Sequence, residues 1–139
     1  MQLIILASGR GSRLNKLTSY RPKCLVKIKN KTILDRLSKN FLKFNETIIV
    51  AGYKSEMIKD YLGHGNNLNC SIEYLQEESP LGTAGCLSLL SKKHLNKPLF
   101  MMNADILTKV NFLNLLAHHK KSTSVATMCV RTCSHQVPY

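Results

Sequence analysis

The chain has no tryptophan, only eight acidic residues against twenty lysines and arginines, no Cys-x-x-Cys pair, and no long apolar run. Each shortage removes a class of explanation. Nucleic-acid binders concentrate cations in a stripe, often interleaved with stacking aromatics. Here lysines such as Lys27, Lys29, Lys39, Lys54, Lys92 and Lys120 are scattered over presumed helix exteriors and loops. Nucleic-acid binding is therefore disfavoured, although a net charge of +12 supplies a field that attracts an anionic substrate. No stretch approaches the roughly 18 apolar residues of a membrane-spanning helix, so no membrane partner is expected. Met1-Gln2 leads straight into an apolar stretch, without the basic region and cleavage site of a signal peptide. A cytoplasmic location is expected by default. The five cysteines, Cys24, Cys70, Cys86, Cys129 and Cys133, lie in apolar contexts. They read as reduced small hydrophobes, not as a zinc site or a disulfide framework. Repeats, low-complexity tracts and linkers are also lacking, and 139 residues suit one domain, 1–139, with a real core.

What is present is an alternation of strand and helix patterns, which predicts an α/β fold with a mostly parallel sheet. Strands are expected at 2–6, 47–51, 71–75, 99–102 and 124–130. Helices are expected at 32–44, 55–62, 83–90 (capped by Thr83) and 111–119, where Phe112, Leu115 and Leu116 face inward.

The first strand, Gln2-Leu3-Ile4-Ile5-Leu6, empties into Ala7-Ser8-Gly9-Arg10-Gly11-Ser12-Arg13-Leu14, followed by Arg21-Pro22-Lys23-Cys24-Leu25. Gly9 and Gly11 let backbone N–H groups approach phosphate oxygens without an intervening Cβ. Arg13 and Lys23 add fixed positive charge, so the segment reads as a cradle for a nucleoside triphosphate. It is not a Walker A loop, since no Gly-Lys-Ser/Thr follows. The dinucleotide fingerprint fails as well, because Leu14 stands at the third glycine position. A tight turn with no ligand is the plain alternative. Leu81-Gly82-Thr83-Ala84-Gly85 and Asp105 each follow another expected strand. Ligands of open parallel sheets bind at that carboxyl edge, which favours Asp105 as a hard-oxygen ligand for Mg²⁺ over a turn-capping aspartate.

The motif from Leu6 to Leu14, with Leu17-Thr18 and Pro22-Lys23, resembles the signature of the sugar-1-phosphate nucleotidyltransferases (nucleotide-sugar pyrophosphorylases). Glu73–Gly85 and Met102-Asn103-Ala104-Asp105 are similar to that family's base-binding loop and metal strand. Within the family, the chain looks most like a bacterial mannose-1-phosphate guanylyltransferase-like branch often fused to CBS domains. The resemblance runs through Gln136–Tyr139. It implies a Rossmann-like, three-layer α/β/α nucleotidyltransferase fold. It also implies transfer of a nucleotidyl group from an NTP, GTP favoured, to a sugar 1-phosphate, with release of pyrophosphate. Arg13 would hold the leaving pyrophosphate and Lys23 would neutralise the α-phosphate and the incoming sugar phosphate. Ala7, Ser8, Gly9, Gly11, Ser12, Glu77, Gly82 and Thr83 would bind the nucleotide, and Asp105 would hold Mg²⁺. Glu77 or Glu78 would match the guanine N1–H and N2–H₂ donors.

The sequence departs from the family pattern at Ser8, at Lys16 (usually proline) and at Ala104 (usually glycine). It also has no Asp or Glu after Asp105, so no second metal carboxylate comes from the C-terminal part. The C-terminal portion of a full catalytic domain is therefore expected to be missing. Uncovered sheet edges are expected to drive self-association, as a homo-oligomer with strand exchange. Alternative readings are a non-catalytic nucleotide-binding remnant or regulatory subunit, and cytidylyl or uridylyl transfer to another phosphate such as phosphocholine.

Overall fold

Three apolar runs and one alternating segment become four parallel strands: β1 (Gln2–Leu6), β4 (Glu46–Ala51), the alternating β5 (Ser71–Gln76) and β6 (Leu99–Asn103). The computed structural model describes residues 1–132, with Leu42 described only as backbone. Strand order is β5-β4-β1-β6, and the register aligns Leu6 with both Val50 and Asn103, and Ala51 with Gln76. The carboxyl ends of all four strands therefore finish along one edge. A two-residue hairpin joins the short β2 (Lys27–Ile28) and β3 (Lys31–Thr32) in a separate antiparallel pair.

Strands buried on both faces read as continuous apolar runs instead of alternating ones. Ile4, Ile48, Val50, Cys86 and Leu90 form one buried cluster, with Leu6, Leu75, Leu89 and Leu99 packed against it. Leu3, Ile5, Thr47 and Ile49, which alternate onto the opposite face, are fully buried too. Two crossovers run the same way along the sheet: β1 to β4 through α1 (Ile33–Ser38), and β4 to β5 through α2 (Ser55–Leu62). The third, β5 to β6, returns past both strands through α3 (Gly82–Gly85), a 3₁₀ turn at Cys86–Leu89 and α4 (Lys92–Leu95). Right-handed crossovers then place α1 and α2 on one face and the returning segment on the other. This is a Rossmann-like α/β arrangement whose topological switch point lies between β1 and β6.

The described residues form two units, Met1–Leu107 and a second from Thr108 onward. In the second, α5 (Phe112–Lys121) starts where the Asn111 Oδ1 accepts the N–H groups of Leu113 and Asn114 at 3.0 and 3.1 Å. Phe112 is buried, whereas Leu115 and Leu116 are half-buried. Among the described residues no helix is long and apolar enough to cross a membrane.

Four expectations need correction. The segment 124–130 forms no strand; Val125, Met128 and Val130 are exposed. A candidate segment becomes a strand only beside a partner ladder. Here the His119 Nδ1, 2.9 Å from the Thr127 Oγ1, ties the segment back to α5 instead. The helix expected over 32–44 ends at Ser38, whose hydroxyl donates to the Asp35 carbonyl at 3.0 Å, and a 3₁₀ turn follows at Phe41–Lys43. Such back-bonding competes with the helical ladder. The helix expected over 83–90 is broken into α3 and the 3₁₀ turn. Thr83 does not cap it: the N-cap position is Leu81, with no side-chain cap. Cys133 and Gln136–Tyr139 lie outside the described residues.

Candidate active site at the switch point

The loop after β1 is drawn into a tight arc by its own polar groups. Gly11 is left-handed (φ 69°), and its carbonyl accepts the Leu14 N–H at 2.9 Å and the buried Thr18 hydroxyl at 3.0 Å. The need for glycine at 11 is twofold. A side chain there would be strained at positive φ, and its Cβ would lie 3.0 Å from the Cβ of Lys23. Removing that methyl lets the Lys23 stem lie against the loop. At Gly9 an added Cβ would meet no protein atom within 4 Å, so the backbone there faces open space.

Lys23 then reaches across the switch point. Its Nζ donates to the Asp105 Oδ2 at 2.5 Å, linking residues 82 positions apart. Asp105 is delivered by β6, and the Ala104 N–H is fixed to the Leu6 carbonyl at 2.9 Å. The two side chains are 38% and 33% exposed, so solvent and salt weaken the pair and an anion or cation from solution can enter it.

The loop after β5 is organised by Glu77. Its backbone N–H donates to the Ala51 carbonyl at 2.9 Å, and its buried carboxylate accepts the Leu81 N–H at 2.8 Å. This closes residues 77–81 into a turn that presents Gly82, at φ 73°, to the same opening. Two neighbouring cysteines, Cys24 and Cys86, are buried. Burial pushes the Cys24 thiol up to about 11, and Cys86 is raised by burial and then by Glu77.

These segments line one cleft of about 770 Å³ in the first unit. The candidates Ala7, Ser8, Gly9, Gly11, Arg13, Lys23, Glu77, Gly82, Thr83 and Asp105 are all on its wall, whereas Ser12 is not. Arg10, Gly52, Tyr53 and Asn103 also line it, and sequence reasoning passed over them. The missed signal was simple: Gly52-Tyr53 follows buried β4 at the same carboxyl edge. A Cβ on Gly52 would come within 3.1 Å of the Ser8 Cβ, so this glycine permits close approach of two cleft loops.

A Rossmann-like sheet thus brings a glycine arc, two cations and a carboxylate to its switch point, the edge where ligands of open parallel sheets bind. Comparison with known proteins makes the class specific. Residues 2–138 match the family described as Nucleotidyl transferase, and the chain belongs to that family. It is 35% identical over 135 residues to the mannose-1-phosphate guanylyltransferase catalytic subunit beta of Dictyostelium discoideum, covering 94% of this chain and 37% of that one. It is 32% identical over 136 residues to the D-glycero-alpha-D-manno-heptose 1-phosphate guanylyltransferase of Aneurinibacillus thermoaerophilus, covering 94% and 57%. The fold superposes on a Bacillus anthracis protein assigned as a glucose-1-phosphate thymidylyltransferase. That match has a TM-score of 0.78 and 21% identity, over 88% of this chain and 51% of that one. HddC from Yersinia pseudotuberculosis gives 0.70 and 28%, over 84% and 53%. The chain thus spans between 37% and 57% of these two curated relatives.

Proposed function

We propose that this chain carries the triphosphate-binding part of an enzyme that moves a nucleotidyl group from an NTP to a sugar 1-phosphate. The observation that carries the reading is the Lys23–Asp105 pair, set beside the Gly9–Gly11 arc across the switch point. In the reaction, an oxygen of the sugar phosphate attacks the α-phosphorus in line. The bond from the α-phosphorus to its bridging oxygen breaks, and pyrophosphate leaves with that electron pair. Such displacements need positioning and charge neutralisation more than a protein base. The backbone of Ala7, Ser8, Gly9 and Gly11 cradles the triphosphate, and Arg13 holds the departing pyrophosphate. Lys23, released from Asp105, neutralises the α-phosphate and the incoming sugar phosphate.

The donor chemistry fits Mg²⁺ held by Asp105. No group of three or more His, Cys, Asp or Glu able to cage a metal occurs among the described residues. Mg²⁺ commonly uses one or two carboxylates plus substrate phosphates and water. When bound, the ion supplies Lewis-acid neutralisation of phosphate charge.

A guanine preference is part of the proposal. The two curated relatives cited are named as guanylyltransferases, and a carboxylate matches guanine N1–H and N2–H₂. Glu77 commits one oxygen to Leu81, so Glu78, exposed on the same wall, is the more open partner. Triphosphate binding without turnover is the second reading, favoured because Asp105 alone among the lining residues brings a carboxylate to the β1–β6 junction.

Pyrophosphate release, measured with a panel of NTPs and hexose 1-phosphates, tests the proposal. Turnover with GTP that is lost in Lys23→Ala and Asp105→Ala supports it. Saturable, Mg²⁺-dependent NTP binding with no turnover supports the second reading. Neither binding nor turnover overturns both.

A further inference from the structure

We infer that Tyr53 is a positioning residue for the phosphate loop, a role that rests on the reading of that loop as triphosphate-binding. Tyr53 follows β4, not β1, yet it touches both ends of the β1 loop. Its backbone N–H donates to the Ser8 carbonyl at 3.3 Å. Its hydroxyl lies 3.2 Å from the Thr18 carbonyl oxygen and 3.0 Å from that of Ser19. Its ring lies under the guanidinium of Arg10, with 5.4 Å from the Arg10 Cζ to the ring centroid. One residue therefore spans the mouth of the arc: its backbone holds Ser8 at the start, and its side chain runs from Arg10 to Thr18 and Ser19 at the close.

The arc contains a conformation that needs such a clamp. Asn15 has φ 44° and ψ −117°, a region that favours glycine and persists in other residues only where the surroundings hold it. The Asn15 carbonyl accepts the Thr18 N–H and the Thr18 and Ser19 hydroxyls. Those are the residues whose own carbonyls face the Tyr53 hydroxyl. A phenol has a single proton to give, shared between two neighbouring carbonyls, so it fixes their joint position. A loop fixed before the ligand arrives loses less conformational freedom on binding. The ring also holds the Arg10 cation on the cleft wall by a cation–π contact.

The test uses Tyr53→Phe, which keeps the ring under Arg10 and removes only the hydroxyl, and Tyr53→Leu, which removes both. Tripolyphosphate and GTP, each with Mg²⁺, and guanosine alone are titrated into the 139-residue chain. Amide exchange is followed over residues 9–19. In Tyr53→Phe we expect the Kd for tripolyphosphate and GTP to rise about fivefold, the scale of one lost hydrogen bond. Guanosine affinity should be unchanged, and loop amides should exchange faster while those of β1 and β4 do not. Tyr53→Leu should lose more. Unchanged polyphosphate affinity and unchanged loop exchange in Tyr53→Phe overturn the inference, as does an equal loss for guanosine. A wild-type chain that ignores polyphosphate, with loop exchange still accelerated in Tyr53→Phe, keeps the clamp and sinks the triphosphate reading instead.

Discussion

The loop after β1 and the loop after β5 line one cleft but are held to different degrees from outside. The first closes on its own polar groups and is braced from afar as well: Lys23 packs on Gly11, and the Tyr53 hydroxyl meets Thr18 and Ser19. The second is closed locally, by the Glu77 carboxylate on the N–H of Leu81 four residues later. A loop braced by distant elements stays aligned with the sheet and suits groups that must meet a reacting phosphorus within a fraction of an ångström. A loop closed on itself can change its contacts without disturbing that alignment. On the proposed reading, the first loop carries the chemistry and the second the base choice.

The sharpest way to break the comparison is at the chemical end. Lys23→Ala or Asp105→Ala should lower pyrophosphate release by about 10²–10³-fold, the usual scale for removing one preorganised charge contact. The melting temperature should hardly move, because the pair is partly exposed and such pairs add little stability. Gly11→Ala comes next. Its left-handed backbone costs roughly 1–2 kcal/mol for a residue with a Cβ, and the new methyl crowds Lys23. Both the urea midpoint and tripolyphosphate affinity should fall.

Glu77→Ala attacks only the second loop. GTP affinity should drop about tenfold, as for one charge-assisted hydrogen bond, while tripolyphosphate affinity holds. Glu77→Gln, which can still accept from Leu81, should recover much of the loss by calorimetry.

The smallest effect is acid sensitivity, and it lies outside both loops. Burial pushes the Asp35 carboxyl up, but hydrogen bonds from Tyr61 and Thr32, with the charge of Lys31, leave it below its ordinary value. Glu73 is lowered chiefly by the Lys93 hydrogen bond, helped by His94 against burial. Groups with a depressed folded-state pKa stabilise the fold above their unfolded pKa and lose that contribution as pH falls through the folded value. The melting temperature should therefore be flat from neutral pH to about 5 and decline below about 4, the ordinary carboxylate range. Tripolyphosphate affinity measured above that range should show no matching step from these two groups.

Much of the frame was legible in the sequence because buried parallel strands write themselves as apolar runs, and the edge strand at 71–76 as an alternating one. Gln2–Leu6, Glu46–Ala51, Ser71–Gln76 and Leu99–Asn103 fall within a residue of the expected bounds. Their carboxyl ends then located the glycine arc, Gly82 and Asp105 on one edge. Tyr53 was not legible, since nothing local shows that its hydroxyl meets carbonyls 34 and 35 residues earlier. The segment 124–130 misled for a related reason. An apolar segment becomes a strand only where a backbone partner lies alongside. The four-residue α4 escaped notice because its stability comes from a local cap. The His94 Nδ1 accepts the Ser91 N–H at 3.1 Å, and the His94 Nε2 donates to Glu73 at 3.2 Å.

The most direct measurement of the central claim is a Mg²⁺–GTP titration of the isotopically labelled chain, followed through backbone amide chemical shifts. Saturable shifts should concentrate at residues 7–13, at Lys23, at 81–83 and at 103–105, with the Lys23 and Asp105 neighbourhoods moving together as their ion pair opens. Shifts confined to the lysine-rich end of α5, or an absence of saturable shifts at the β1–β6 junction, would contradict it.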